Sequence, residues 1–515
     1  MPNLSQSILD HAGKLGIDTK LLTSDEGDAL APETDLDPKH PLSHYFISSS
    51  HNTYLWGHQL YGKASAEPYQ IVLERACRCV EIDVWDGENL SSSESSSDEE
   101  KGRVKKVQHT HAPDKVHKWR PDRVEPRVLH GFTATQECSF RDVVENIGLY
   151  AFTKTDLPLI ISLEVHTSHE QQEIMVEIMK EYWGPYLIDN FDWNEKTPLP
   201  SLDELKKKIL IKVKYSPPEQ AKPTAGGKDS EDESQSVSVS KGKIIPELGN
   251  MGLYTRSYHF TDFDQPEAKY PTHVFSMSEF KLSSVYSKEP VKLFNHNKDF
   301  IMRAYPKGTR VTSSNLDPAP FWRLGVQIAA LNWQYVNEPM MLNHGLFAGT
   351  GGYVLKPPGY WGSSSIQRGT IDLTIEVFAG SNLALPKTKL KAYVKAELHV
   401  EQEDERKAAG LPDDGQEKEG EYKAKTSTAK EGRDPDFKGQ KLEFKGVKHV
   451  TEDLSFVRFK IMDDESFSKD DMVGWACYRF KRLKEGVRVI KIMDEEGKET
   501  DGRLLVRITK KFTPN

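Results

Sequence analysis

Charged and polar side chains recur in pairs at the ends of apolar runs, and the pairs share one spacing. Glu81 and Asp83 alternate with Val80, Ile82 and Val84. Glu164 and His166 follow Leu159-Ile160-Ile161, Lys212 and Lys214 follow Ile209-Leu210-Ile211, and Arg303 and Tyr305 follow Phe300-Ile301. Residues two apart in a strand face the same side, so each pair presents both groups to one surface. Two histidines join them: His51, next to Asn52, after Tyr45-Phe46-Ile47-Ser48-Ser49-Ser50, and His130 after Val128-Leu129. Carboxylates with an amide oxygen suit a hard cation, calcium or magnesium, rather than zinc. Lysines and an arginine suit phosphates. Two histidines suit phosphoryl chemistry, one bonding a developing oxyanion and one protonating a leaving oxygen. The inventory is that of a metal-dependent phosphoester enzyme.

The elements that must position these groups alternate in type. Strands are predicted over 80–85, 157–166, 208–215, 299–305 and 326–333, with helical patterns over 68–77, 140–151 and 170–183 between them. Alternation of this kind makes a parallel α/β fold, and over this length a (β/α)8 barrel, whose C-terminal mouth is furnished by strand-end polar residues. After it the pattern changes. The run Gly369-Thr370-Ile371-Asp372-Leu373-Thr374-Ile375-Glu376-Val377 alternates cleanly, and further strands are expected at 391–400, 455–461 and 503–508, a β-sandwich pattern.

Three stretches are expected to be structureless: the Ser/acidic run 91–100, which has nothing to bury, residues 216–243, and residues 401–436, dense in Glu, Lys, Asp and Gly. They divide the chain into an N-terminal segment 1–40, a block 41–215 carrying an insert at about 89–125, a linker 216–243, a block 244–362 and a C-terminal domain 368–515. Of 515 residues, 69 are basic and 78 acidic, for a net charge of −9. An acidic total argues against bulk nucleic-acid binding, so no nucleic-acid partner is expected. Mean hydropathy of −0.62 and no apolar run of spanning length argue against a membrane-spanning protein. The first residues, Met1-Pro2-Asn3-Leu4-Ser5-Gln6, lack the basic and apolar regions of a secretion signal. Four cysteines in this length make no disulfide framework. A cytoplasmic location is expected.

Longer motifs then come into view. The stretch from Pro41 through His51-Asn52-Thr53-Tyr54-Leu55 resembles the opening of the X region of eukaryotic phosphoinositide-specific phospholipase C. Glu81-Ile82-Asp83-Val84-Trp85-Asp86-Gly87, His130-Gly131-Phe132-Thr133 and Ile161-Ser162-Leu163-Glu164 continue it. Ser276-Met277-Ser278-Glu279, Arg303-Ala304-Tyr305-Pro306, Ser313-Ser314-Asn315 and Gly351-Gly352-Tyr353-Val354-Leu355-Lys356-Pro357 resemble its Y region, and the C-terminal domain resembles a C2 domain.

The resemblance implies a distorted TIM barrel split by a linker, followed by an all-β C2 sandwich. It implies calcium held by Asn52, Glu81, Asp83 and Glu164, with His51 stabilising the pentacoordinate phosphorus and His130 as general acid. Glu81 is favoured as the base, with Glu164 second. Lys212, Lys214, Ser276, Arg303 and Tyr305 match the residues that hold the headgroup, favouring phosphatidylinositol 4,5-bisphosphate. The products would be diacylglycerol and inositol 1,4,5-trisphosphate, formed through a cyclic inositol phosphate. The partner is then a phosphoinositide at a membrane surface, met by transient peripheral association with the cytosolic face in intracellular signalling. No regulatory protein can be read from the chain. Leu55, Trp56 and Leu60 are candidates for an apolar ridge entering the lipid interface. Asp463, Asp464, Glu465, Asp470 and Asp471 cluster in one sandwich loop, but Leu385-Pro386-Lys387-Thr388-Lys389-Leu390-Lys391 lacks the aspartate of calcium-binding relatives, so a packing role is expected for the sandwich. Residues 1–40 are too short for a pleckstrin-homology domain, and Asp25-Glu26-Gly27-Asp28 lacks the spacing of an EF-hand loop.

Overall fold

The computed structural model describes residues 4–87, 123–131, 133, 135–188, 198–215, 244–383, 390–465 and 470–515. The Ser/acidic run, nearly all of the 89–125 insert, the 216–243 linker and most of the 385–391 loop lie outside the described residues.

Eight strands form a closed parallel barrel: β1 (Tyr45–Ser50), β2 (Cys79–Trp85), β3 (Leu159–His166), β4 (Ile209–Lys214), β5 (Arg256–Tyr258), β6 (His273–Ser278), β7 (Ile301–Tyr305) and β8 (Ile328–Leu331). Each pairs with the next in chain order, and β8 returns to β1 with Ile47 opposite Ile328. The closure is uneven. Strand β1 meets β2 through a single registered pair, Ser49 with Cys79, reinforced by the Arg78 N–H donating to the Ser48 carbonyl at 2.7 Å. The expected (β/α)8 barrel is therefore present, with its distortion concentrated at that seam and at the three-residue β5.

Serine caps set where the outer helices begin. Ser139, Ser168 and Ser278 each accept a backbone N–H from the first turn of the helices α2 (Phe140–Tyr150), α3 (His169–Trp183) and α4 (Glu279–Lys288). The barrel interior below the mouth is apolar, built from residues such as Ile160, Leu210, Val274, Ile301 and Ile328.

The C-terminal domain is a sandwich of two four-stranded antiparallel sheets. One holds Glu421–Lys425, Ala392–His399, Phe456–Asp463 and Asp471–Arg479; the other holds Gly486–Met493, Glu499–Pro514, Gly369–Ser381 and Asp436–Val450. One pair, Trp475 with Met493, joins them. Ile371, Leu373, Ile375 and Val377 point into the shared core, as the alternation predicts.

The outer face of the first sheet is buried against the barrel. Phe456, Trp475 and Cys477 pack with Phe46, Trp322, Met341 and Leu346. Arg458, fully buried, lies 2.5 Å from both Glu397 and Glu421, and Lys460 reaches Glu338 of the barrel helix Glu338–Phe347. A second buried pair, Arg323 with Glu405 at 3.0 Å, crosses the same interface.

The N-terminal segment, for which the sequence offered no fold, is a strap on the sandwich. Helix α1 (Gln6–Lys14) places Ile8 and Ala12, one helical turn apart, against Phe378, Val487, Val489 and Leu505. Beyond it the Ala29 N–H donates to the Val489 carbonyl at 3.0 Å, Ala31 N–H to the Arg482 carbonyl at 2.8 Å, and Glu33 pairs with Arg479. No helix among the described residues is long and apolar enough to cross a membrane.

Candidate active site

The strand-end pairs meet at the C-terminal mouth of the barrel. Asp83 and Glu164 stand directly opposite each other across β2 and β3, and Glu81 lies one inward-facing step below Asp83, opposite Ser162. One carboxylate oxygen from each of Glu81, Asp83 and Glu164 falls within 4.8 Å of the others. Like charges this close disfavour ionisation. Burial, Glu164 and Glu81 together hold the Asp83 carboxyl well above the usual range. The Tyr54 hydroxyl donates to Asp83 Oδ2 at 2.6 Å, while Asp83 Oδ1 is buried with no hydrogen-bond partner among the described residues.

Asn52 joins this group from the loop after β1. Its φ of 43° is left-handed, a conformation that asparagine tolerates better than most residues. Its backbone N–H donates to Glu81 Oε2 at 2.9 Å, and its side-chain amide donates to Gln59 Oε1 at 2.9 Å, which leaves the side-chain oxygen as the acceptor end of that amide. An orphaned buried carboxylate oxygen, three converging carboxylates and an amide oxygen fit a hard cation such as calcium. They do not fit zinc.

The side chains behind Glu164 are equally ordered. His166 Nε2 lies 2.9 Å from Glu164 Oε1, and its ring stacks on Trp85 at 4.1 Å between centroids. Trp85 also touches the backbone of Gly131, where a Cβ would fall 1.8 Å from the indole. Only glycine therefore fits beside His130.

His51 and His130 are held alike. His51 Nδ1 bonds to Asn332 Oδ1 at 2.9 Å and His130 Nδ1 to the Gln59 carbonyl at 2.8 Å. Both partners are oxygen acceptors, so Nδ1 carries a proton in each ring and Nε2 is the nitrogen left to take up or hand on a second one. Burial pushes the His51 imidazolium pKa down, against the pull of Glu81.

The basic residues occupy neighbouring strands. Arg303 Nη2 lies 2.5 Å from Glu81 Oε1, with both side chains almost fully buried. Its guanidinium also lies 5.0 Å from the centroid of the Tyr305 ring, which is parallel to His51 at 6.1 Å. Ser276 is registered against Arg303, and its hydroxyl is buried without a partner among the described residues. Lys212 is buried, 3.4 Å from the Ser162 hydroxyl, and Lys214 is exposed. The predicted site residues thus gather around one mouth.

Sequence reasoning missed Gln59, Asn332 and Tyr54, which orient the others. Asn332 directly follows β8, the strand-end position that drew attention elsewhere; Gln59 sits in a loop with no periodic signal. One expectation is corrected. Leu55 is only 1% exposed and packs in the core, so it cannot belong to an apolar ridge. It faces inward because Leu55 and Trp56 form one arm of a short hairpin with Lys63-Ala64, which turns alternate residues in and out. Trp56 and Tyr61 are the exposed members, at 38% and 74%, and Leu60 is half-buried.

In the sandwich, Asp463 accepts the Lys391 N–H at 3.0 Å, Asp464 the Thr428 hydroxyl at 2.6 Å and Asp470 the Tyr393 hydroxyl at 2.8 Å. These acidic groups are engaged in holding their own loops.

Comparison with known proteins follows the same division. Residues 38–215 match the family described as phosphatidylinositol-specific phospholipase C, X domain; 248–359 match its Y domain; 371–494 match the C2 domain. The chain is 33% identical over 493 residues to the Xenopus laevis protein named 1-phosphatidylinositol 4,5-bisphosphate phosphodiesterase delta-4, covering 90% of this chain and 59% of that one. It is 30% identical to the Rattus norvegicus delta-1 protein, covering 92% and 60%. It is also 31% identical to the human protein named inactive phospholipase C-like protein 2, covering 90% and 39%. The chain therefore spans at most about 60% of the length of these relatives. The crystal structure of S. officinalis PLC21 superposes with a TM-score of 0.73 at 27% identity, over 96% of this chain and 59% of that one.

Proposed function

The chain is a member of the phosphatidylinositol-specific phospholipase C family, and from that premise we propose that it cleaves phosphatidylinositol 4,5-bisphosphate at a membrane surface in a calcium-dependent reaction. The observation that carries this reading is the convergence of Glu81, Asp83 and Glu164, with Asn52 bonded to Glu81 through its backbone N–H, beside two histidines whose Nδ1 atoms are both committed to acceptors.

Asn52, Glu81, Asp83 and Glu164 would hold the ion. Calcium, when bound, would lower the pKa of the attacking hydroxyl and neutralise charge on the phosphate. The ring phosphates would be held by Lys212, Lys214, Ser276 and Arg303, with Tyr305 against the ring. A phosphate arriving at Arg303 competes with Glu81 for the same guanidinium, which releases Glu81 Oε1 to accept the proton of the inositol 2-hydroxyl. The hydroxyl oxygen bonds to phosphorus. The bond to the diacylglycerol oxygen breaks, and His130, entering as the imidazolium, delivers its Nε2 proton to that oxygen. His51, protonated beside the charged phosphate, donates Nε2–H to the phosphoryl oxygen as charge grows on it. In the second half His130 takes a proton from water, water adds to the cyclic phosphate, and the 2-hydroxyl recovers its proton as inositol 1,4,5-trisphosphate leaves.

Trp56 and Tyr61 are exposed on the hairpin beside the mouth and would enter the lipid interface with Leu60. The sandwich, welded to the barrel through Arg458 and Arg323, serves as a packing platform. The location follows as cytoplasmic with transient membrane contact.

The test is hydrolysis of phosphatidylinositol 4,5-bisphosphate vesicles in buffered calcium and in chelator, for the parent and His51→Ala. Calcium-dependent release of inositol trisphosphate, lost in the variant, is expected. No release at any calcium level, with headgroup binding intact, would overturn the enzyme reading in favour of a binding protein.

A further inference from the structure

One buried side chain touches three parts of the site at once. Gln59 is 6% exposed and sits at the inner side of the hairpin that Leu55-Trp56 and Lys63-Ala64 define. Its Oε1 accepts from Asn52 Nδ2 at 2.9 Å. Its Nε2 donates to Ser313 Oγ at 2.9 Å and approaches Asn332 Oδ1, the acceptor of His51, at 3.4 Å. Its backbone carbonyl accepts from His130 Nδ1 at 2.8 Å. A fifth contact, its own N–H to the Val311 carbonyl at 3.0 Å, anchors the backbone.

The chemistry of an amide makes this connection directional. Gln59 has one acceptor end and one donor end. The acceptor end takes an amide proton of Asn52, which can happen only while the Asn52 carbonyl oxygen points away from Gln59. The donor end is fixed by Ser313, whose hydroxyl donates onward to the Gly57 carbonyl at 2.6 Å. Ser313 and Asn52, the residues at the two ends of the amide, both carry left-handed backbone, with φ of 61° and 43°. Neither is glycine, so the surroundings hold both against a conformational cost. Strain on both sides of one buried amide marks a geometry the fold enforces.

We propose that Gln59 is a positioning residue: its side chain orients the Asn52 carbonyl toward the cation and supports the acceptor of His51, while its main chain independently holds His130. The inference rests on the phosphodiesterase reading for its effect on turnover, but its structural content does not. The two functions are separable because one belongs to the side chain and the other to the backbone.

Gln59→Met keeps the length and the backbone carbonyl and removes both amide ends. Calorimetric titration with calcium is expected to show affinity falling about fivefold or more. With 15N-labelled histidine, the His51 imidazole shifts should move toward mixed tautomers while those of His130 stay fixed. In vesicle hydrolysis kcat should fall roughly 30-fold, with KM within twofold of the parent. Gln59→Glu keeps the acceptor for Asn52 and loses the donor. It should recover calcium affinity while His51 shifts and kcat stay impaired, a split that a purely structural residue would not produce. A folded Gln59→Met with calcium affinity and His51 shifts like the parent would overturn the proposal. If Gln59→Met does not fold, Gln59→Glu decides alone: His51 shifts and kcat like the parent overturn it. A parent without lipase activity would sink the reaction reading and leave the calcium and imidazole measurements to judge Gln59.

Discussion

Arg303 and Glu81 form a buried ion pair at 2.5 Å inside the barrel mouth, and each has a second allegiance. Glu81 belongs to a carboxylate cluster that is overcharged without a cation, and Arg303 lies among residues fitted to phosphate. The pair is thus a place-holder that both ligands would disturb. Removing one partner of a buried pair costs about 3–5 kcal/mol. Arg303→Met is expected to lower Tm in chelator, and calcium should restore more stability to the variant than to the parent. Thermal melts with and without calcium check this.

Asp83 is the most crowded member of the cluster. Asp83→Asn keeps an acceptor for Tyr54 and removes one of three like charges. In chelator the variant should be more stable than the parent by about 1 kcal/mol, or roughly 2–4 °C in Tm, while calcium affinity by calorimetry falls at least tenfold. A variant that loses stability in chelator would contradict the electrostatic account of the site.

Asn332 acts on His51 from outside the reaction. Its own position is set by Asn315, whose Oδ1 accepts the Asn332 N–H at 2.6 Å. Asn332→Leu leaves the imidazole unanchored and is expected to lower kcat about 100-fold, with vesicle binding unchanged in a sedimentation assay.

Trp56 and Tyr61 are exposed where Leu55 is not. Replacing either by Ala should weaken vesicle binding roughly 5- to 30-fold, the equivalent of about 1–2 kcal/mol of apolar burial. Hydrolysis of a soluble inositol phosphodiester should be unaffected. Equal loss on both substrates would place these side chains in the site rather than at the interface.

Glu405 supplies a pH dependence at the barrel–sandwich interface. Burial raises its carboxyl to about 7, against the pull of Arg323. A folded-state pKa above the unfolded value of 4.5 stabilises below 4.5, and that contribution, about 3 kcal/mol, is lost as pH rises through 7. The parent should therefore melt at a lower temperature at pH 8 than at pH 5.5, and Glu405→Gln should flatten that difference.

Much of this architecture was legible because strands have a period of two and helices need caps. Parity placed Glu81 with Asp83 and Glu164 with His166 on shared faces before any register was known, and Asp83 opposite Glu164 is where β2 and β3 then bring them. What escaped was non-periodic. Gln59 acts through both ends of one amide and its own carbonyl, and Tyr54 through a hydroxyl that reaches Asp83 from a loop; neither leaves a pattern. Leu55 was misassigned for the same reason, since hairpin pairing reverses which residue faces out. The N-terminal strap escaped because its partners lie at the far end of the sequence.

That distance has a consequence in time. Ser5 bonds to Gly380 across 375 positions, and Glu33 meets Arg479 across 446. At ribosomal rates of roughly 5–20 residues per second, the strap waits about 20–90 s for the surface it binds. Throughout that interval Ile8, Ala12 and Leu22 have no native cover, while the barrel can close without them. The strap is therefore synthesised before, and docked after, the sandwich surface that covers it.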